Sequence, residues 1–231
     1  MREQTFWEHV GELRKRIIYI VIFLIPVFIA CFVFSNKILQ IVSKPIGTLY
    51  FFSPIEAFSV KLKLAFLSSI FMSFPFIAFQ IWKFIEPALF SNEKLILIFG
   101  LLSSILLFYL GSSLSIFIIT PIGVKFLMSF SEENLRALIR ADDYLNFLLF
   151  MTLSFGLLFQ IPIVMTILSA LKVVEPSLYS KHRKIIILLI FIGSAIITPT
   201  VDAFSMLLLA IPLIIIYEIG IIFSKIFYKS S

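Results

Sequence analysis

The sequence predicts an all-α polytopic membrane protein: six transmembrane helices, both termini on the inner side (N-in/C-in), packed as a kinked, concave bundle. Three observations carry that expectation. Of 231 residues, 61% are apolar and 14% charged, against about 45–50% and about 25% in a soluble domain. A soluble monomer of this size has no interior able to hold 28 Phe at a mean hydropathy of +1.11. The apolar residues also gather into six runs near the roughly 20 residues that cross a bilayer. None of the runs alternates with period 2, which favours helices over barrel strands.

The runs fall at 17–34, 62–85, 95–122, 144–171, 185–197 and 203–223, forming one domain over 1–231. Ahead of the first lies a polar, charged start containing Arg2, Glu8, Glu12, Arg14, Lys15 and Arg16. No small-residue cleavage site follows the first run, so this start does not read as a cleavable signal peptide. Pro26, Pro75, Pro162 and Pro212 fall inside the first, second, fourth and sixth runs. Each removes a backbone hydrogen bond and is expected to kink its helix. In lipid the freed carbonyl needs a neighbouring helix or water. The fifth run is short: 13 residues span roughly 20 Å at 1.5 Å per residue, against about 30 Å of hydrocarbon. Either Arg183 and Lys184 snorkel or the bilayer thins there.

Loop charge orients the bundle. With the N-terminus inside, twelve of the 19 basic residues lie on the inner side and seven, among them Lys37, Lys44, Lys61, Lys63 and Arg140, on the outer. That bias gives N-in, C-in. The net charge of +6 is then inner-loop charge and not a nucleic-acid footprint. The longest loops, 35–61 and 123–143, face outward and are expected to cap the bundle.

Each charge near the membrane invites two readings. Glu8, Glu12 and Arg16 share a helical face, and Glu12–Arg16 is a favourable pair at i, i+4. This is either an interfacial helix anchored by Phe6 and Trp7 or a carboxylate offered to a cation. Glu93, behind Pro87 and Ser91, is either a first-turn carboxylate favoured by the helix dipole or a second inner-face carboxylate. Two such groups suit guanidinium, which stays charged and binds bidentately. Gln160, Asp202 and Glu218 stand within the membrane zone, where polar groups default to a functional hypothesis. Gln160 has the alternative of bonding a carbonyl freed near Pro162, and Glu218 that of reaching Lys225 across two turns.

Single Cys31 excludes an intrachain disulfide, and two distant histidines give no metal-ligand spacing. No nucleophile elbow, phosphate loop or dinucleotide fingerprint is present, so neither an enzyme nor a cofactor is expected. A secondary transporter of a small solute or ion is the alternative class.

Several ordered segments resemble the TatC family, the core subunit of the twin-arginine protein translocase. They are His9-Val10-Gly11-Glu12-Leu13-Arg14-Lys15-Arg16, Ser43-Lys44-Pro45, Gln80-Ile81-Trp82-Lys83-Phe84-Ile85-Glu86-Pro87-Ala88-Leu89 with Glu93 behind it, Phe159-Gln160-Ile161-Pro162, Ile197-Thr198-Pro199, and Leu209-Ala210-Ile211-Pro212 with Tyr217-Glu218. The resemblance implies a receptor for twin-arginine signal peptides of folded precursors. It implies single-span TatA-like and TatB-like partners, further copies of the chain, use of the proton-motive force, and a bacterial inner membrane or an organelle membrane. The family's signal-peptide carboxylates fall on Glu12 and Glu93. Arg14, Pro45, Pro75, Phe84 and Asp202 fall on positions the family treats as important. Gln160 stands where the family often has Glu, and Gln cannot titrate. Thr200-Val201-Asp202 stands where the family often has Pro-Asp, so Asp202 matches only with a one-residue shift.

Overall fold

The computed structural model describes residues 6–86, 94–130, 138–197 and 203–230. Glu93, Pro199 and Asp202 lie outside the described residues. Nearly everything described is helical: α1 Phe6–Val33, α2 Ser35–Ser43, α3 Pro54–Ile85, α4 Lys94–Leu114, α5 Thr120–Met128, α6 Ala141–Leu158, α7 Ile161–Ala170, α8 Pro176–Lys181, α9 Arg183–Ile197 and α10 Ala203–Ser230. A π-helical turn, Ser115–Ile119, joins α4 to α5. Among the described residues there is no β-strand, only a parallel bridge between Tyr50 and Arg140.

Five helical stretches are long and apolar enough to cross a membrane: Val10–Val33, Pro54–Ile85, Ile98–Met128, Ala141–Ala170 and Ala203–Tyr228. They match the first four runs and the sixth. The fifth run becomes α9, 15 residues or about 22 Å long, and falls short of that length.

Several expected boundaries move. The charged start is not a separate interfacial helix, because α1 runs unbroken from Phe6 through the first span. The second span begins at Pro54, capped by Ser53, whose Oγ accepts the Ile55 N–H at 3.2 Å. At 32 residues α3 is about 48 Å long, so residues taken for outer loop are its first two turns. The third span runs on through the π turn to Met128, which shortens the second outer loop.

The fourth run is two helices. The chain tightens at Phe159 and Gln160, where the Gln160 N–H bonds Leu157 O at 2.9 Å, and α7 starts with Pro162 in its first turn. Pro162 thus opens a new helix, where its missing N–H costs nothing, instead of kinking an existing one. Pro26, Pro75 and Pro212 do lie inside helices. Pro75 cannot bond Phe71 O, one turn back, and the Tyr109 hydroxyl of α4 donates to that oxygen at 3.1 Å. A neighbouring helix thereby supplies the partner that proline removes.

Packing follows the apolar stripes. At one end, Val42, Val60, Leu64, Val124, Tyr144, Leu145 and Leu148 join α2, α3, α5 and α6. Centrally, Met151, Phe155 and Phe159 meet Leu209, Leu213 and Ile216 of α10. Toward the other end, Phe74 of α3 stacks on Phe108 of α4 with centroids 3.5 Å apart and planes 4° from parallel, beside Ala78 and Trp82. The α4–α6 seam is close enough that a Cβ on Gly156 would sit 2.6 Å from the Phe108 ring, and one on Gly111 2.7 Å from Phe155 O. Small residues at such crossings let backbones approach in the absence of a hydrophobic drive between helices. α1 packs on α3, and the rest of its surface shows exposed Ile17, Val21, Ile25 and Ile29, a face suited to lipid.

Candidate functional site

At the N-terminal end of α1, Glu12 and Arg16 form the expected pair. Both the Nε and a terminal nitrogen of Arg16 donate to one Glu12 oxygen, Oε1. The same guanidinium donates to Gln80 Oε1 of α3 at 3.3 Å. Gln80 is buried, and the side chains of Arg16 and Glu12 are 15% and 24% exposed. The cluster therefore holds a carboxylate at a fixed place while leaving it reachable. Its charge is not consumed symmetrically, because the bonds to Arg16 converge on Oε1. Gln80 lies about one and a half turns from the end of α3, so the cluster sits near the C-terminal end of that helix. Arg14, on the same helix, is exposed. Phe84 is half-buried near the end of α3.

Gln80 is a site residue not among those expected from the sequence, although the rule that singles out Gln160 applies equally to it. A lone amide inside an apolar run signals a partner.

Gln160 resolves toward the structural alternative. Its Oε1 accepts from Ser104 Oγ at 2.6 Å, and its Nε2 donates to Ser104 O at 3.2 Å and to Gly156 O at 3.4 Å. Gly156 O loses its usual partner because the Gln160 backbone N–H turns to Leu157 O. The side chain thus seals the α6–α7 break and ties it to α4. Glu218 does not pair with Lys225. Its Oε2 accepts from Arg183 of α9 at 2.7 Å, a contact across helices that needs no change of register. Pro45 lies in the turn after α2, where Ile46 and Gly47 N–H groups both bond Ser43 O at 2.9 Å and Gly47 takes φ +99°.

The chain around 50–56 packs against the start of α6, and a buried carboxylate joins the two segments. Glu56, 6% exposed, accepts from Arg140 Nε at 2.9 Å through Oε1 and from the Phe52 N–H at 3.1 Å through Oε2. Backbone bonds run alongside, from Tyr50 N–H to Ile139 O and from Ala141 N–H to Tyr50 O. Tyr144 adds a buried hydrogen bond to Val42 O at 2.6 Å, and Lys63 Nζ lies 2.5 Å from Asp142. The hydrogen bond to Glu56 holds the Arg140 proton more tightly than usual, so that guanidinium stays charged. Glu56 was missed in the sequence, yet Ser53-Pro54-Ile55-Glu56 has the spacing of a helix-capping signal. Among the described residues no group of three His, Cys, Asp or Glu could hold a metal ion.

Five long apolar helical stretches, a sealed polar break and a fixed carboxylate at one end of the bundle define a multi-pass helical membrane protein built to hold groups in place. The family model described as "Sec-independent protein translocase protein (TatC)" matches residues 8–212, and the chain belongs to that family. Proteins named Sec-independent protein translocase protein TatC are similar over nearly the full chain. The one from Aquifex aeolicus is 38% identical over 95% of this chain and 94% of its own length. Those from Desulforapulum autotrophicum and Escherichia coli K12 are 34% and 32% identical, covering 99% and 97% of this chain and 87% and 89% of their own. Two crystal structures of the Twin Arginine Translocase Receptor TatC, each 35% identical, superpose with TM-scores of 0.82 and 0.84. They cover 95% and 94% of this chain and 99% and 100% of theirs.

Proposed function

We propose that this chain is the signal-peptide receptor and core scaffold of a twin-arginine translocase, working as one domain over 1–231 with both termini inside. The observation that carries the reading is the Glu12–Arg16–Gln80 cluster. It presents a carboxylate, fixed through Arg16 by a second helix and still accessible, near the C-terminal end of α3. A precursor's two arginines dock on Glu12 and Glu93. Guanidinium suits this because its planar fork bonds carboxylate oxygens in pairs and never loses its charge. Arg16 holds Glu12 ready while its bonds fall on Oε1, so an incoming guanidinium has Oε2 to engage. Arg14 and Phe84 line the approach, and Pro45, Pro75, Gln160, Asp202 and Glu218 serve structure or partner contact.

The chain works by binding and scaffolding, without chemistry of its own. Single-span TatA-like and TatB-like subunits and further copies of the chain pack around it, and transport draws on the proton-motive force across a bacterial inner membrane.

The test is signal-peptide affinity for Glu12→Gln and Glu93→Gln in the reconstituted full chain. A charge-assisted hydrogen bond is worth about 1.5–3 kcal/mol, so each variant should lose roughly one to two decades of affinity. Unchanged affinity in both would remove the two glutamates as the recognition site.

A further inference from the structure

A groove of about 640 Å³ opens between α5 and α6 at the N-terminal end of α6. Its floor is apolar, formed by Val124, Leu127, Met128, Phe147 and Phe150, and its rim carries Arg140 and Asp143. The rim charges are what set this groove apart from ordinary lipid-facing surface. Arg140 spends only Nε on Glu56, and its terminal nitrogens have no bond among the described residues. Its side chain is 48% exposed. Of the two adjacent carboxylates, Asp142 is taken by Lys63 at 2.5 Å and by Asn146 Nδ2 at 3.2 Å. Asp143 is exposed and has no hydrogen bond or ion pair among the described residues. Arg140 and Asp143 feel each other's charge without forming an ion pair. One cation and one anion, both with bonding capacity left among the described residues, thus line the same apolar slot.

We propose that this groove is a binding site for a zwitterionic phosphoethanolamine lipid: its phosphate on Arg140, its ammonium on Asp143 and an acyl chain along the Val124–Phe150 floor. Charge complementarity selects this occupant. A purely anionic headgroup satisfies Arg140 but meets repulsion from Asp143. A phosphocholine headgroup has the right charges, but its quaternary nitrogen carries no N–H to donate, whereas a primary ammonium donates three hydrogen bonds. The apolar floor meets the chain, and the guanidinium suits the phosphate. The Glu56 and Lys63 contacts position the rim, since they immobilise Arg140 and occupy the competing Asp142. The site is independent of signal-peptide recognition.

Native mass spectrometry of the delipidated full chain tests this, with equimolar phosphatidylethanolamine, phosphatidylcholine and phosphatidylglycerol of identical acyl chains. A photoreactive phosphatidylethanolamine maps the contact. Phosphatidylethanolamine should be retained severalfold over the other two, with crosslinks within 124–150. Asp143→Asn, which breaks no bond among the described residues, should erase the advantage over phosphatidylcholine while circular dichroism stays unchanged. Equal retention of the three lipids, a preference for phosphatidylglycerol, an advantage that survives Asp143→Asn, or crosslinks confined elsewhere would each overturn the proposal.

Discussion

Removing the Tyr109 hydroxyl probes how the bundle tolerates a proline inside a spanning helix. Pro75 leaves Phe71 O without its helical partner, and Tyr109 Oη fills that place at 3.1 Å. Tyr109→Phe keeps the ring, which packs edge-on against Phe71 with centroids 4.8 Å apart, and deletes only the donor. Interhelical hydrogen bonds in membranes average about 0.6 kcal/mol and reach about 1.7, and a buried carbonyl left unpaired costs about 1–3 kcal/mol. A loss of about 1 kcal/mol is therefore expected. The informative background is Pro75→Ala, where the restored N–H can bond Phe71 O itself. There the same Tyr109→Phe change should cost close to nothing, giving a coupling of about 1 kcal/mol in a double-mutant cycle. The assay is reversible unfolding in mixed micelles, followed by helical ellipticity. Equal cost of Tyr109→Phe in both backgrounds would refute the idea that the hydroxyl replaces the bond that proline removes.

Other parts of the bundle give sharper or larger effects. Gln160→Leu leaves Gly156 O unpaired at the α6–α7 break and takes the acceptor from the Ser104 hydroxyl, and should cost about 1–2 kcal/mol in the same unfolding assay. Gly156→Ala drives a methyl to within 2.6 Å of the Phe108 ring, and overpacking of this kind costs about 1–3 kcal/mol; a neutral result would mean that α4 and α6 do not meet there. Tyr144→Phe removes the buried bond to Val42 O. It should lower stability by about 1 kcal/mol and speed proteolysis of the outer loop around 44–53, with inner-face loops unaffected.

The spans were legible because lipid imposes length and uniform apolarity, signals that survive without tertiary information. The pairing of Glu12 with Arg16 was legible for a related reason, since i, i+4 contacts are local. What failed was non-local or depended on backbone irregularity. Nothing in Ser115–Ile119 marks a π turn, because that geometry arises from packing. Pro162 was read as a kink because the 144–171 run is continuous in hydropathy, whereas the chain breaks at Phe159 and Gln160. Glu218 was matched to Lys225 by searching its own helix, while the partner, Arg183, stands 35 residues away on α9. Arg140 was read as an outer-loop charge and Glu56 was not singled out, although Glu56 sits in the first turn of α3, buried against Arg140. The Ser-Pro-Ile-Glu spacing would have placed the start of α3 at Pro54, and with it Glu56 inside a helix. Gln80 was quoted as part of a motif, yet its meaning needed the approach of α1, which no local pattern shows.

Site-specific photo-crosslinking from positions 12 and 93 bears most directly on the recognition of twin arginines by two inner-face carboxylates. The probe is a signal peptide carrying Arg-Arg, with a Lys-Lys version as the control. Crosslinks to the Arg-Arg peptide that vanish with Lys-Lys are the expected result, since lysine cannot reproduce the guanidinium fork. Equal crosslinking of both peptides, or none to either, would contradict recognition at Glu12 and Glu93.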